Sequence, residues 1–135
     1  MKLKIKTYIT GLSLLLISAV AFADIAVIVN PSNSASASQK DIKKIFLGKK
    51  TSMNPVDQNE GSAIRDSFYQ KVAKKDAGQM KAYWSKMIFS GKAIPPAASS
   101  NDATVKTWVV NNPKGVGYID SSAVDDTVKV LLTIK

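Results

Sequence analysis

The sequence contains no cysteine and no histidine among its 135 residues. Without these residue types the chain has no disulfide, no thiol chemistry and no Ser–His or Cys–His nucleophile pair. The usual ligand sets for zinc, copper and iron are missing as well, and neither a P-loop nor a dinucleotide fingerprint occurs. The composition therefore predicts no catalytic residues, no metal and no cofactor. It favours a protein that binds a small molecule or another protein.

The first 23 residues have the features of a secretory signal peptide. Three lysines lie within the first six residues, an apolar run follows from Leu12 to Val20, and a small-x-small cleavage motif, AFA, ends at Ala23. The apolar run is shorter than the roughly 20 residues that a membrane span requires. We predict cleavage before Asp24, which would give a periplasmic protein with no membrane anchor. We also predict that residues 24–135 form one domain. The alternative is an uncleaved N-terminal anchor.

The chain has an excess of positive charge, with 19 basic and 10 acidic residues. Three of the lysines belong to the predicted signal peptide, so the predicted mature domain has a charge of 16 − 10 = +6. Short groups of lysines on predicted helices are typical of solvated helix faces. Nucleic acid is not an expected partner, because the protein is predicted to be exported and has no recognition motif. The charge is compatible with a small anion or with an acidic envelope protein as the partner.

The apolar pattern predicts an α/β domain with a mixed, largely parallel sheet flanked by helices. Residues 25–29 (IAVIV) are a continuous apolar run, which indicates a strand covered on both faces. Pro95-Pro96 predicts an irregular loop from residue 91 to residue 99. The predicted order is β-α-β-α-α-α-β-β, with strands at 25–29, 54–57, 115–119 and 128–134. The helices are predicted to start near Ser38, near Ser62, at Asp76 and at Ser100 or Asn101.

Each predicted helix has an apolar stripe at helical spacing that should face the core. The stripes are Ile42, Ile45 and Phe46; Ile64, Phe68 and Val72; Met80, Tyr83, Trp84, Met87 and Ile88; and Val105, Trp108 and Val109.

The candidate functional feature is the turn from Gln58 to Gly61 and the helix that opens at Ser62. A helix start has unpaired backbone N–H groups and the positive pole of the helix dipole, so it attracts anions. We predict an oxyanion site on the N–H groups of residues 61 to 64. The alternative is that Gly61 and Ser62 only start and cap a helix.

Several segments resemble the periplasmic phosphate-binding proteins of ABC transporters, in the same order along the chain. They are VIVNPSNSASASQKDIKKIFLGKK at 27–50, the Gly61-Ser62 helix start followed by Phe68, Tyr83-Trp84, the Phe89-Ser90-Gly91 loop and GVGYID at 115–120. The resemblance implies a type II periplasmic-binding-protein fold and phosphate or a related oxyanion as the ligand. That family has two lobes that close on the ligand, whereas this sequence has the length of one lobe.

The resemblance also implies which residues form the site. The family's helix-start motif is Arg-x-Asp-Gly-Ser-Gly-Thr; here Gln58, Glu60, Gly61, Ser62, Ala63 and Ile64 stand for Arg, Asp, Gly, Ser, Gly and Thr. Arg65, one turn into the helix, is a partial substitute for the missing arginine charge. Each charge-assisted hydrogen bond that is lost costs about 1.5–3 kcal/mol. We therefore expect that the anion site is either millimolar or absent.

Two functions remain open from the sequence. The first is a single-lobe solute-binding protein that holds phosphate or a related oxyanion at residues 61 to 65. The second is an interaction module that keeps the lobe fold and docks onto another envelope protein. The retained Gly61-Ser62 pair favours the first function, and the absent second lobe favours the second.

Overall fold

The computed structural model describes residues 24–135, and the predicted signal peptide lies outside them. The helices and strands, in chain order, are β1 (Ile25–Val29), α1 (Gln39–Phe46), β2 (Asn54–Gln58), α2 (Ala63–Ala73), α3 (Ala77–Phe89), β3 (Ala97–Ser99), α4 (Asp102–Val110), β4 (Gly115–Asp120) and β5 (Lys129–Ile134). A short 3-10 turn, Ser121–Ala123, follows β4.

The strands form one five-stranded mixed sheet in the order β3-β2-β4-β1-β5. β2 pairs in parallel with β3 and β4, while β1 pairs antiparallel with β4 and β5. Four of the five strands therefore point in one direction, and β1 runs against them. The predicted fold class, a mixed α/β sheet flanked by helices, is confirmed.

β1 lies inside the sheet and is buried along its whole length, as its apolar sequence predicted. Ile25, Val27 and Val29 face a core that includes residues of α1, α2 and α3. Ala26 and Ile28 face the opposite core, which includes Val105 and Val109 of α4. The alternation follows from the two-residue period of a strand, and it places three helices on one face and α4 on the other.

The predicted stripes of α1, α2 and α4 are largely confirmed, and the start of each helix is capped as expected. Ser38, Asp76 and Asn101 are N-caps with reciprocal capping boxes, and Ser62 is the N-cap of α2. The prediction that Ile88, at the end of the α3 stripe, faces the core is wrong, because Ile88 is 55 % exposed. Trp108 is only half-buried.

The prediction of an irregular loop from 91 to 99 is wrong at its end, where β3 forms. Residues 97–99 pair in parallel with residues 56–58 of β2. The two prolines precede the strand, so they remove no donor from the β2–β3 ladder, and they lead into a strand at the edge of the sheet, where proline is tolerated. The prediction extended the effect of Pro95-Pro96 too far along the chain.

Candidate functional site

The candidate site lies where β2 ends and α2 begins. Gly61 has a φ of +85°, a left-handed conformation that favours glycine. No atom lies within 4 Å of the position that a Cβ on Gly61 would occupy, so this turn is open to approach. The strand end, the turn and the helix start therefore form an accessible corner at the carboxyl edge of the parallel strands, which is where α/β sheets bind ligands.

The backbone donors at this corner are only partly used. Ser62 N–H donates to the Asn59 carbonyl at 3.2 Å, and Arg65 N–H donates to the Ser62 hydroxyl at 3.3 Å. Among residues 24–135, the N–H groups of Gly61, Ala63 and Ile64 make no backbone hydrogen bond. The Ser62 hydroxyl accepts a hydrogen bond, and its own proton has no acceptor in the described chain. Four donors therefore remain for an anion at the positive pole of α2.

Gln58, the residue in the place of the family's arginine, is buried and held by its neighbours. Its side chain is bonded to the Asp102 carboxylate at 2.8 Å and to the Tyr118 carbonyl at 3.1 Å. The other oxygen of Asp102 accepts from the Asp120 N–H at 3.2 Å. Gln58 thus ties the end of β2 to the start of α4 and the end of β4. Both of its amide hydrogens are used within the fold, which leaves neither for a ligand.

Arg65 is also buried, with 6 % of its surface exposed. Its Nε lies 3.6 Å from Oδ2 of Asp57, and its guanidinium carbon lies 5.1 Å from the centre of the Tyr69 ring. Asp57 itself is 3 % exposed. The positive charge of Arg65 is therefore largely balanced inside the fold, so it substitutes poorly for a free arginine at an anion site.

The Asp57 carboxylate is the centre of a buried hydrogen-bond network. The Tyr69 hydroxyl donates to Oδ2 at 2.5 Å, the Tyr118 hydroxyl donates to Oδ1, and the Gln58 N–H donates to Oδ1 at 2.8 Å. Beneath this network the Tyr118 ring stacks on Phe68 with ring centres 3.9 Å apart. These bonds and Arg65 compensate a carboxylate that would otherwise be costly to bury.

Burial raises the pKa of the Tyr69 hydroxyl well above its ordinary value, and the neighbouring Asp57 carboxylate raises it further. The same two causes raise the pKa of Tyr118. A raised pKa means that the folded chain keeps both phenolic protons above about pH 10, whereas the unfolded chain loses them there. Stability from these tyrosines is therefore fully present below pH 10 and falls as the pH rises above it.

We expect the free energy of unfolding to decline above pH 10 by up to about 1.4 kcal/mol per pH unit for each of the two tyrosines. Ultraviolet absorbance of phenolate, followed together with circular dichroism, measures this. The phenolate signal of these residues should rise only as the fold is lost. A rise near pH 10 from all the tyrosines while the dichroism remains native would contradict the network.

A cleft of about 300 Å³ lies beside the helix start, between the end of β2, α3 and β3. Its charged lining residues are Asp57, Glu60, Arg65 and Lys81. The two acids balance the two bases, so the cleft has little net attraction for an anion. A second cavity of about 440 Å³ lies on the other side of Trp84, Pro95 and Pro96, which line both cavities.

The structure therefore divides the seven predicted residues into two groups. Gln58, Glu60 and Arg65 line the cleft, while Gly61, Ser62, Ala63 and Ile64 form the helix start and do not line it. Sequence reasoning missed the partners that hold the first group, namely Asp57, Tyr69, Asp102 and Tyr118. One signal was available: Asp57 lies within the short predicted strand 54–57, and a carboxylate that a strand buries requires partners.

Among residues 24–135, no group of three or more acidic side chains is arranged to hold a metal ion. In the same part of the chain, no helix has both the length and the apolar character needed to cross a bilayer.

No family model matches the sequence, and no curated protein matches it significantly. Solved structures do match. A protein from Clostridium perfringens, assigned as a phosphate ABC transporter substrate-binding protein and solved with bound phosphate, superposes with a TM-score of 0.65 at 25% identity, over 81% of this chain and 45% of that one. An ABC-type phosphate transport receptor from Vibrio cholerae gives a TM-score of 0.64 at 20% identity, over 81% and 46%.

A third structure, a protein from Planctomyces limnophilus DSM 3776 assigned as phosphate-binding, gives a TM-score of 0.59 at 17% identity, over 81% of this chain and 41% of that one. The chain has the fold of these solute-binding proteins. It spans less than half of the length of each of them. The resemblance seen in the sequence is thus confirmed for the fold, while the identities are too low to establish membership of the family.

Proposed function

We propose that the protein is an exported, non-enzymatic binding protein that holds phosphate or a related oxyanion weakly at the start of α2. The observation that carries the proposal is the set of unused donors at one exposed corner: the N–H groups of Gly61, Ala63 and Ile64 and the Ser62 hydroxyl. The solved structure with bound phosphate, which shares this fold, supports an oxyanion as the ligand class. Export to the periplasm rests on the predicted cleavage before Asp24, which the mass of the exported protein tests.

Weak binding follows from the charges around the corner. Glu60 is exposed and lies beside the donors, so it repels an anion unless the anion carries a proton for it to accept. Arg65 is balanced by Asp57, and Gln58 is held by Asp102 and Tyr118. The site offers four neutral hydrogen-bond donors and the positive end of a helix dipole, but no arginine guanidinium that contacts the anion. Such a site corresponds to millimolar rather than micromolar affinity.

Calorimetry at low salt with phosphate, sulfate and neutral glycerol tests the proposal. We expect millimolar binding of phosphate or sulfate and no heat with glycerol. Ser62→Ala should weaken binding by about tenfold, because a hydrogen bond to a charged group is lost. Ser38→Ala is the matched control: it removes the serine N-cap of α1, costs a similar amount of stability, and should leave anion binding unchanged.

Gln58→Arg should tighten anion binding by restoring the charge of the family motif. Asp102, now 2.8 Å from the Gln58 amide, will take part of that charge. The double variant Gln58→Arg with Asp102→Asn should therefore bind more tightly than Gln58→Arg alone. If neither the native protein nor the double variant binds phosphate at millimolar concentration, the solute-binding function is wrong.

A second function, an interaction module that docks onto an envelope protein, is favoured by two observations. The chain corresponds to less than half of each solute-binding protein that it matches. The two side chains best suited to hold an anion, Gln58 and Arg65, are committed inside the fold. This function replaces the first if the calorimetric test fails.

A further inference from the structure

Three large apolar side chains near the end of α3 are exposed close together in the chain. Ile88 is 55 % exposed, Phe89 96 % and Ile94 82 %; we call these three residues the apolar tip. The other exposed large apolar residues in the described chain, Val110 and Val130, are less exposed, at 43 % and 39 %. Gly91, with a φ of +68°, turns the chain between the two most exposed residues. Three large exposed apolar residues within seven positions of the chain are therefore a candidate interaction surface.

The segment that carries the apolar tip contains charges of one sign only. From residue 77 to residue 101 the chain contains Lys81, Lys86 and Lys92 and no acidic residue. A second copy of the chain is a poor occupant, since a symmetric interface would bring these lysines together. The occupant must therefore supply negative charge and accept apolar side chains.

The chemistry of the segment distinguishes a lipid surface from a protein partner. Protein interfaces have a polar rim, with about one hydrogen bond per 100–200 Å². Between Ile88 and Ala98 the side chains include no amide and no carboxylate, and Pro95 and Pro96 have no N–H. The single hydroxyl, that of Ser90, already donates to the Met87 carbonyl at 3.3 Å. A lipid surface requires only apolar insertion and positive charge.

We propose that the apolar tip inserts reversibly into an anionic lipid surface, with Lys86 and Lys92 contacting the headgroups. Phe89 and Ile94 are the two most exposed large apolar residues of the described chain and supply the apolar insertion, while the lysines supply the electrostatic attraction. The interaction is peripheral and salt-sensitive, because both its apolar area and its charge are small. Ile88 lines the cleft beside the α2 start, whereas Phe89, Ile94 and the two lysines do not. Insertion therefore does not depend on the proposed anion site.

Sedimentation with vesicles tests this proposal on the processed chain, whose mass must show that it begins at Asp24, since an attached signal sequence would itself bind lipid. Vesicles of phosphatidylglycerol and phosphatidylcholine in equal parts should bind the protein at millimolar lipid and low salt. Pure phosphatidylcholine vesicles should bind it at least about tenfold less. Added salt should release the protein from the anionic vesicles.

Two pairs of variants assign the surface. Phe89→Ser with Ile94→Ser should lower the partition coefficient by about tenfold or more, while Val110→Ser with Val130→Ser should not. Lys86→Glu with Lys92→Glu should abolish binding to anionic vesicles, whereas Lys114→Glu with Lys135→Glu, which change the net charge equally, should weaken it far less. The four residues that are changed to serine are all exposed in the native structure. Circular dichroism checks that each variant folds.

The proposal is wrong if the native chain stays in the supernatant with anionic vesicles, or if the Phe89 and Ile94 double variant binds them as well as the native chain does. Equal binding to neutral vesicles would also overturn it, because the lysines would then have no role. Phosphate calorimetry on the Phe89 and Ile94 double variant should match the native protein, which keeps this test separate from that of the α2 site.

Discussion

Replacing Asp57 with alanine is expected to lower the free energy of unfolding by about 3–5 kcal/mol. The change leaves the guanidinium of Arg65 buried without its counter-charge. It also removes the acceptor of the Tyr69 and Tyr118 hydroxyls, which are buried with it. Each unsatisfied donor adds its own desolvation cost. Urea titration followed by circular dichroism measures the loss.

Asp57→Asn separates charge from shape in this network. The amide keeps an acceptor oxygen for a tyrosine but supplies no negative charge to Arg65, so we expect a loss smaller than that of Asp57→Ala and still above 1 kcal/mol. Asp126→Ala is the control, because Asp126 is exposed and should change stability by less than about 0.5 kcal/mol. If Asp57→Ala lowers the free energy of unfolding by less than about 1 kcal/mol, the Arg65 guanidinium is solvated in the variant and the network does not hold β2 to α2.

Replacing Trp84 with alanine is expected to cost about 3–5 kcal/mol. Trp84 is 6 % exposed and packs in the core that joins α1, α2 and α3. We expect the lower part of that range, since cavities lie on both sides of the indole and water can fill the space. Its Nε1–H is buried and has no acceptor within residues 24–135, which removes part of its stabilising effect.

Trp108→Ala is the matched comparison, because Trp108 is half-buried and packs over Gly115 of β4. Trp108→Ala should lower the free energy of unfolding by about 1–2 kcal/mol, which is less than the effect of Trp84→Ala. Equal losses for the two variants would show that the burial of α3 and α4 is assigned wrongly. Urea titration of both variants on the processed chain decides the comparison.

The sequence predicted the layers of the fold because its apolar patterns were long and regular. The five consecutive apolar residues of β1 required cover on both faces, and the α1 stripe of Ile42, Ile45 and Phe46 has the helical period; all of these residues are buried. β3 was missed because it has three residues and a weak apolar pattern, and its pairing with β2 depends on a neighbour far away in the sequence. Ile88 was misplaced because the α3 stripe extends beyond the core that α3 covers.

The site was predictable only as far as it is local. A Gly-Ser turn before a helix indicates an N-cap and free donors, and the structure has both at Gly61 and Ser62. The commitment of Gln58 to Asp102 joins residues 44 positions apart, and the bond from Tyr118 to Asp57 joins residues 61 apart. No local pattern announces such pairs. Because of these long-range contacts, the guanidinium of Arg65 and the amide of Gln58 stabilise the fold and are not free to bind a ligand.

An amide NMR titration of the processed chain with phosphate at low salt tests the anion site at the α2 start. We expect the amide resonances of Gly61, Ala63 and Ile64 to shift together, with a millimolar dissociation constant. The amide resonances at the α4 start near Asn101, which is N-capped as the α2 start is, should not shift. Shifts spread over the lysine-bearing surfaces, or none at the α2 start at millimolar phosphate, would contradict the claim that this corner is an anion site.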